Sequence, residues 1–315
     1  QRMRDSGVAT SLGCLRGRYA AGMSVRVGDL LATGSQSFSF EFFPPKTDAG
    51  EAQLWKALGE LEPLAPTFVS VTYGAGGTTR DRTVGITGRI AKETQMVPVG
   101  HLTCVGATVS ELESVIDEYA AAGVHNVLAL RGDPPGGPGD QWVAHEGGLN
   151  YAAELVALAT RSGDFSVGVA AFPDPHPASM SAQVDVEVLR AKQEAGAEFA
   201  ITQFFFKSSA YFQLVDRARS GGVTIPIIPG IMPVTNLAQI TRFASLSGAD
   251  FPADIAAEFE RVGDDYVRDL GIEMASRLCR ELLEGGAPGL HFYTLNRSTA
   301  TRDIYANLGL GATAQ

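Results

Sequence analysis

The chain has 315 residues, of which 45 % are hydrophobic and 19 % charged, and 35 acidic against 25 basic residues give a net charge of −10. This composition excludes a disordered chain, and a negative charge without a Lys/Arg block argues against sequence-independent nucleic-acid binding. The absence of any eighteen-residue apolar run argues against a transmembrane helix.

The first 34 residues do not fit the pattern that follows. Arginines interrupt the first 30 residues every few positions, so they do not resemble a secretory signal. A short helix is predicted after Met23, and the preceding residues are expected to form a loose tail. Cys14, Cys104 and Cys279 are widely spaced, which argues against a disulfide framework or a zinc knuckle and favours a reducing cytoplasm.

Eight short runs rich in β-branched or aromatic residues then follow one another, and most are apolar throughout. They span 37–43, 67–73, 97–104, 125–131, 165–171, 199–206, 225–231 and 289–295. Continuously apolar strands are typical of a parallel sheet that is covered on both faces.

Segments with helical spacing of apolar residues separate these runs. They span 50–64, 81–94, 109–122, 151–161, 181–195 and 209–219, and the longer seventh connection is expected to hold more than one helix. Eight βα repeats predict a single (β/α)8 (TIM) barrel over residues 35–310, with an extension at 1–34 and a tail at 311–315. An open doubly wound sheet is the alternative, but Phe43-Pro44-Pro45 stands where its glycine fingerprint is usual.

In such barrels chemistry collects at the carboxyl ends of the strands. Glu41, in the first strand, is flanked by Phe40, Phe42 and Phe43. A carboxyl buried among aromatic rings tends to keep its proton, which makes Glu41 a candidate general acid. The alternative is a solvated side chain that points outward.

Other strand ends carry weaker signals. His101 lies in an otherwise apolar strand, where a lone histidine is more often a hydrogen-bonding core residue than a metal ligand, so no metal is expected. Arg131 and Asp133 could face a phosphate and a planar heterocycle, or could brace a loop. Gln203 is a buried amide that a flavin or pterin edge would satisfy as well as backbone would.

Two further features are open to more than one interpretation. The glycine-rich segment Gly74–Gly77 is a weak phosphate-cradle signal. Asp185 and Lys192 lie on one helix face, where they could hold a ligand phosphate and ribose or form a surface charge pair.

Seven motifs together resemble the bacterial 5,10-methylenetetrahydrofolate reductase family over about residues 37–310. They are SFEFFPPKT, FVSVTYGAGG, HLTC, LALRGDPP, AITQFFF, IIPGIMPVTN and HFYTLNR. The resemblance implies a (β/α)8 barrel that binds FAD at its rim. Such an enzyme takes a hydride from NADH or NADPH and reduces 5,10-methylenetetrahydrofolate to 5-methyltetrahydrofolate for methionine synthesis. It also implies a homo-oligomer.

The resemblance also implies residue roles. Glu41 would be the acid that opens the five-membered ring of the folate, and Asp133 would contact the pterin and tune the flavin. The other substrate-binding residues would be Gln203, Gln239, Phe243 and Arg297. The flavin-binding residues would be Thr72, His101, Arg131, Gly132, Asp133, Tyr151, Ala152, Phe172, His176, Asp185 and Lys192.

Three positions depart from the family pattern. Phe172 stands where many relatives have Tyr, and Val188 and Ala191 stand where relatives can place polar or basic residues toward the flavin. FAD is therefore expected to bind with weakened affinity. Two other functions stay open, namely direct hydride transfer from nicotinamide to folate without flavin, and sequestration of folate or flavin without catalysis.

Overall fold

The fold is described by a computed structural model over residues 24–73, 80–134, 140–176, 179–247 and 251–310. The predicted tail before Met23, the tail at 311–315 and the glycine-rich segment Gly74–Gly77 lie outside the described residues. Among the described helices, none combines the length and apolarity that crossing a membrane requires.

Parallel strands form one closed sheet. They are β1 Ser37–Phe42, β2 Phe68–Val71, β3 Pro98–Thr103, β4 Asn126–Leu130, β5 Ser166–Ala171, β6 Phe199–Thr202, β7 Ile227–Ile228, β8 Gly230–Ile231 and β9 Gly289–Tyr293. The strand order is β7-β6-β5-β4-β3-β2-β1-β9-β8. The (β/α)8 prediction is confirmed.

One predicted strand, 225–231, is divided at Pro229 into β7 and β8. β7 pairs with β6 and β8 pairs with β9, so this divided strand closes the barrel. Proline has no N–H to offer a sheet ladder, but the Pro229 carbonyl still accepts a hydrogen bond of 2.9 Å from the His291 amide. The interruption therefore costs little pairing.

Helices surround the sheet. They are α1 Val27–Ala32, α2 Asp48–Leu61, α3 Arg80–Glu93, α4 Val109–Ala121, α5 Ala152–Ser162, α6 Ala182–Glu194, α7 Ser208–Ser220, α8 Leu237–Ser247, α9 Ala253–Val262, α10 Val267–Glu284 and α11 Thr299–Leu308. The six predicted helices between strands are found, and the seventh connection holds α8, α9 and α10 as expected. Local signals set the boundaries; for example, Thr108 and Glu111 form a capping box at α4.

The sequence SFSFEF of β1 alternates between two environments. Phe40 and Phe42 are fully buried on the outer face of the sheet, in the core shared with the helices. The ring of Phe40 lies 5.6 Å from that of Tyr305 in α11. Because successive side chains of a strand point to opposite faces, Ser39 and Glu41 point into the barrel.

Helix α1 covers the amino-terminal end of the barrel. Val27, Leu30 and Leu31 pack in one cluster with inner residues such as Phe68 and Phe199. The buried Asn126 side chain accepts a hydrogen bond from the Val27 amide at 2.8 Å and donates to the Val25 carbonyl at 3.0 Å. The described part of the predicted extension is thus tightly attached, and the division of the chain at residue 34 stays a prediction.

Candidate active site

The carboxyl ends of the strands form one rim because the strands are parallel and in register. This rim carries most of the residues singled out from the sequence. Glu41 lies in β1 and His101 in β3, while Thr72, Arg131, Gly132, Asp133, Phe172, Gln203 and Arg297 lie just beyond the ends of their strands. The fold therefore gathers side chains that are up to 256 positions apart, from Glu41 to Arg297, at one end of the barrel.

Glu41 is the most enclosed carboxylate of the rim, with 5 % of its surface exposed. Its Oε2 atom accepts hydrogen bonds from Ser70 Oγ at 3.4 Å and His291 Nε2 at 3.3 Å. His101 Nε2 lies 3.4 Å from the same oxygen. One carboxylate oxygen is thus anchored inside the barrel by hydrogen bonds from two other strands, with His101 of a third strand nearby.

The expectation that burial keeps Glu41 protonated is wrong for this arrangement. Burial does raise the pKa of Glu41, but electrostatic interactions with the imidazoles of His101 and His291 and the hydrogen bonds from His291 and Ser70 outweigh it and leave this pKa below its usual value. The physical reason is the alternation of β1, which turns Phe40 and Phe42 away from the carboxylate. Glu41 faces polar groups rather than the phenylalanine rings that flank it in the sequence.

His101 is buried beside Glu41, and Tyr119 holds the strand there by donating a 2.8 Å hydrogen bond to the His101 carbonyl. Burial lowers the pKa of His101, and the Glu41 charge opposes this shift. Among the described residues, His101 Nε2 has no hydrogen-bond partner of good geometry. No group of three or more His, Cys, Asp or Glu within the described ranges is arranged to hold a metal ion.

A second cluster of charges surrounds the β5–α6 connection. The His176 amide donates a 3.1 Å hydrogen bond to Asp185 Oδ2, and the Phe172 and His176 rings meet edge to face at 4.6 Å. Burial lowers the pKa of His176; the charge of Arg131 lowers it further, and those of Asp185 and Asp133 oppose the shift. These residues are therefore close enough to interact electrostatically.

Lys192 is a buried cation in this second cluster. Its Nζ donates a 2.9 Å hydrogen bond to the Ala170 carbonyl, and 7 % of the residue is exposed. Burial lowers the pKa of Lys192 to about 8, with Asp185 opposing and Arg131 adding to the shift. A buried cation that is only partly compensated favours an anionic ligand.

The β4–α5 connection brings an additional aromatic residue to Arg131. The Arg131 guanidinium lies 5.0 Å from the centre of the Trp142 ring, a cation–π contact. Gly132 has φ +81°, and a Cβ there would lie 2.6 Å from Val105 Cγ1, so glycine is required at this turn. The main chain at Arg131 and Asp133 is therefore tightly constrained.

The remaining predicted residues are placed as follows. Tyr151 precedes α5 and is exposed, Ala152 begins that helix and is buried, and the Thr72 carbonyl accepts a 3.0 Å hydrogen bond from Thr83 in α3. Gln203 Oε1 accepts from the Phe204 amide at 3.0 Å. Gln239 and Phe243 lie on α8, and Phe243 packs in the cluster formed by α8, α9 and α10.

Three residues of this rim are not predicted from the sequence. His291 and Ser39 adjoin Glu41. The alternation of side chains along a strand points to them, because Ser39 lies two positions before Glu41 in β1 and is paired with His291 in β9. Asn296 has φ +57°, and its side chain bonds both the amide and the carbonyl of Phe43 at 2.8 Å. It clasps the ends of β1 and β9 together.

The fold and this rim define the class: an enzyme built on a (β/α)8 barrel, with its polar groups at the carboxyl ends of the strands. A family model described as "Methylenetetrahydrofolate reductase" matches residues 26–309. The chain belongs to the methylenetetrahydrofolate reductase family.

Individual relatives agree with this family. The 5,10-methylenetetrahydrofolate reductase of Escherichia coli (strain K12) is 41 % identical over 279 residues, which cover 88 % of this chain and 92 % of that protein. Methylenetetrahydrofolate reductase (NADH) 1 of Arabidopsis thaliana is 36 % identical over 298 residues, which cover 90 % of this chain and 50 % of that protein.

Among solved structures, a Clostridium thermocellum protein that binds two copies of 5-methyl-5,6,7,8-tetrahydrofolic acid aligns with a TM-score of 0.62 at 12 % identity. The alignment covers 90 % of this chain and 97 % of that chain. This likeness shows the fold alone.

Proposed function

We propose that the chain reduces 5,10-methylenetetrahydrofolate to 5-methyltetrahydrofolate with NADH or NADPH, through bound FAD. The observation that carries the proposal is the enclosed Glu41 carboxylate, anchored at Oε2 and placed at the rim of a barrel of this family. A fixed carboxyl at a rim is suited to donate a proton to a substrate nitrogen.

The residues present fit a large anionic cofactor. Arg131 and the buried, only partly compensated Lys192 supply positive charge beside the β5–α6 connection. When bound, FAD would supply the two-electron chemistry that links the nicotinamide to the folate. The residues proposed to hold it are Thr72, His101, Arg131, Gly132, Asp133, Tyr151, Ala152, Phe172, His176, Asp185 and Lys192.

The chain's own residues supply binding and proton transfer. We assign Glu41 the role of donating a proton to the ring nitrogen of the folate that departs when the five-membered ring opens. Because its pKa is low in the open site, Glu41 must take up a proton as the substrate excludes water around it, since burial favours the neutral acid. Asp133, Gln203, Gln239, Phe243 and Arg297 are proposed to bind the folate.

Steady-state turnover of the purified protein with NADH or NADPH and either 5,10-methylenetetrahydrofolate or menadione tests the proposal. We expect turnover with both acceptors and a yellow protein whose flavin absorbance bleaches on addition of NADH or NADPH. Folate turnover by flavin-free protein would instead support direct hydride transfer. Tight folate or flavin binding without turnover would support sequestration.

A further inference from the structure

His291 is fully buried inside the barrel and connects two side chains of β1. Its Nδ1 atom lies 2.8 Å from Ser39 Oγ, and its Nε2 atom lies 3.3 Å from Glu41 Oε2. Ser39 is paired with His291 in the β1–β9 register, and Glu41 is paired with Tyr293 two residues further on. The strand pairing itself therefore places the imidazole alongside both residues.

The position of the hydrogen on the His291 ring follows from its two neighbours, Ser39 and Glu41. Ser39 Oγ lies 2.8 Å from Nδ1 and 3.5 Å from its other acceptor, the Leu290 carbonyl, so the shorter contact favours donation of the hydroxyl to the ring. A neutral imidazole that accepts at Nδ1 carries its hydrogen on Nε2. That N–H then donates to Glu41 Oε2.

The other groups that face Glu41 add to this asymmetry. Ser70 donates to Oε2 from β2, and His101 approaches the same oxygen from β3. Burial and the Glu41 charge raise the pKa of Tyr293, and its hydroxyl donates to the Thr202 carbonyl at 2.7 Å instead of to Glu41. Among the described residues, His101, His291 and Tyr293 are the titratable groups that interact with this carboxylate.

We propose that Ser39 and His291 are a positioning pair that determines which oxygen of Glu41 carries the proton. Ser39 fixes the tautomer of His291, and the Nε2–H of His291 keeps Oε2 in use as an acceptor. The proton of the neutral acid is then held on Oε1, the oxygen left for the substrate. This inference rests on the proposed role of Glu41 as a proton donor.

Loss of either partner has a defined consequence for Glu41. Without Ser39, the hydrogen of His291 can move to Nδ1, and a lone pair on Nε2 then faces Oε2. Without His291, one of the two donors to Oε2 is gone, and Ser70 alone remains. In both cases the ionised carboxylate loses stabilisation, so the pKa of Glu41 rises. His291→Gln retains an N–H donor without any tautomer to fix.

The test is an infrared pH titration of the purified holoenzyme, with the carboxyl band of Glu41 identified by its loss in Glu41→Gln. We expect Ser39→Ala and His291→Ala to move the titration of this band upward by about one pH unit. We also expect Ser39→Ala to add no shift in the His291→Gln background. Two controls are Ser276→Ala, a buried serine of α10, and His125→Ala, next to the other end of the barrel.

Two results would overturn the pair: an unchanged titration in Ser39→Ala, or an equal shift from Ser39→Ala in the His291→Gln background. The infrared band does not depend on turnover. Absence of folate reduction by the wild-type protein would therefore count against the proposed function and leave the proton assignment to be decided by the titration.

Discussion

Glu41 combines a buried position with a pKa below its usual value, and these two properties determine what a substitution should do. Glu41→Gln keeps the shape and the contacts at Oε2 but removes the transferable proton. We expect reduction of 5,10-methylenetetrahydrofolate to fall by about 10²–10⁴-fold, while bleaching of the flavin by NADH stays nearly unchanged. Rapid-mixing absorbance measures the two half-reactions separately. An equal loss in both would mean that Glu41 is structural.

Lys192 should make cofactor binding depend on pH. Its pKa is lowered to about 8 by burial, so the ammonium that favours an anion is present below pH 8 and is lost as the pH rises above it. We expect the FAD dissociation constant to rise by up to about tenfold between pH 7.5 and pH 9. Above the pKa of a group that must be protonated for binding, the dissociation constant rises about tenfold per pH unit. Fluorescence titration of FAD measures it.

The matched variants for this prediction are Lys192→Met and Lys56→Met. Lys192→Met should bind FAD weakly and independently of pH over this range. Lys56 is exposed on α2, so Lys56→Met should leave the pH dependence of FAD binding intact. A pH dependence that survives in Lys192→Met would assign the titration to another group.

Phe172 and Ala191 depart from the family pattern, and substitutions at these two positions should raise the affinity for FAD. Phe172 is half-buried in edge contact with His176, and Ala191 is exposed on α6. A hydrogen bond contributes about 0.5–1.5 kcal/mol to a neutral partner and about 1.5–3 kcal/mol to a charged one. Phe172→Tyr combined with Ala191→Arg should therefore slow FAD release on dilution by about tenfold or more. Ala121 is exposed on α4, and the control Ala121→Arg should not change the rate of FAD release. An unchanged rate of FAD release in the double variant would contradict the proposed flavin-binding face.

At the scale of elements, one buried amide side chain, that of Asn126, adds to the apolar contacts that hold α1 on the barrel. Asn126 is 2 % exposed and bonds the main chain at both Val25 and Val27. Asn126→Ala leaves these buried backbone groups unpaired, at about 1–3 kcal/mol each. We expect the urea midpoint to fall markedly while kcat at 25 °C stays within about twofold, because the rim lies at the other end of the barrel. A loss of kcat without a loss of stability would contradict this separation.

The elements and the site differ in how far the sequence predicts them. Continuous apolar runs and helical spacing identify the strands and the six helices between them, because burial on both faces leaves a strong local pattern. The break at Pro229 and the environment of Glu41 depend instead on contacts between distant strands. Ser39 and His291, for example, are 252 positions apart and meet only through the β1–β9 register. Local patterns do not contain that information.

For the whole molecule, FAD binding should raise the free energy of unfolding. A ligand that binds only the folded state adds about 2.7 kcal/mol at a hundred times its dissociation constant, which raises Tm by about 5 °C for a chain of this size. Scanning fluorimetry with increasing FAD measures this shift. Glu41→Gln should show the full shift and Lys192→Met a smaller one. A Tm independent of FAD would contradict flavin binding at this rim.

The position of α1 has a consequence for how the chain is made. The Gly28 amide donates to Ser166 Oγ, a partner 138 positions later in the sequence. At about 5–20 residues per second, a ribosome needs roughly 7–30 s to deliver that partner after α1 emerges. A six-residue helix is not stable alone in water, so α1 must wait unfolded with Val27, Leu30 and Leu31 accessible to chaperones. Helix α1 therefore docks on the barrel only after strands far later in the chain have been synthesised.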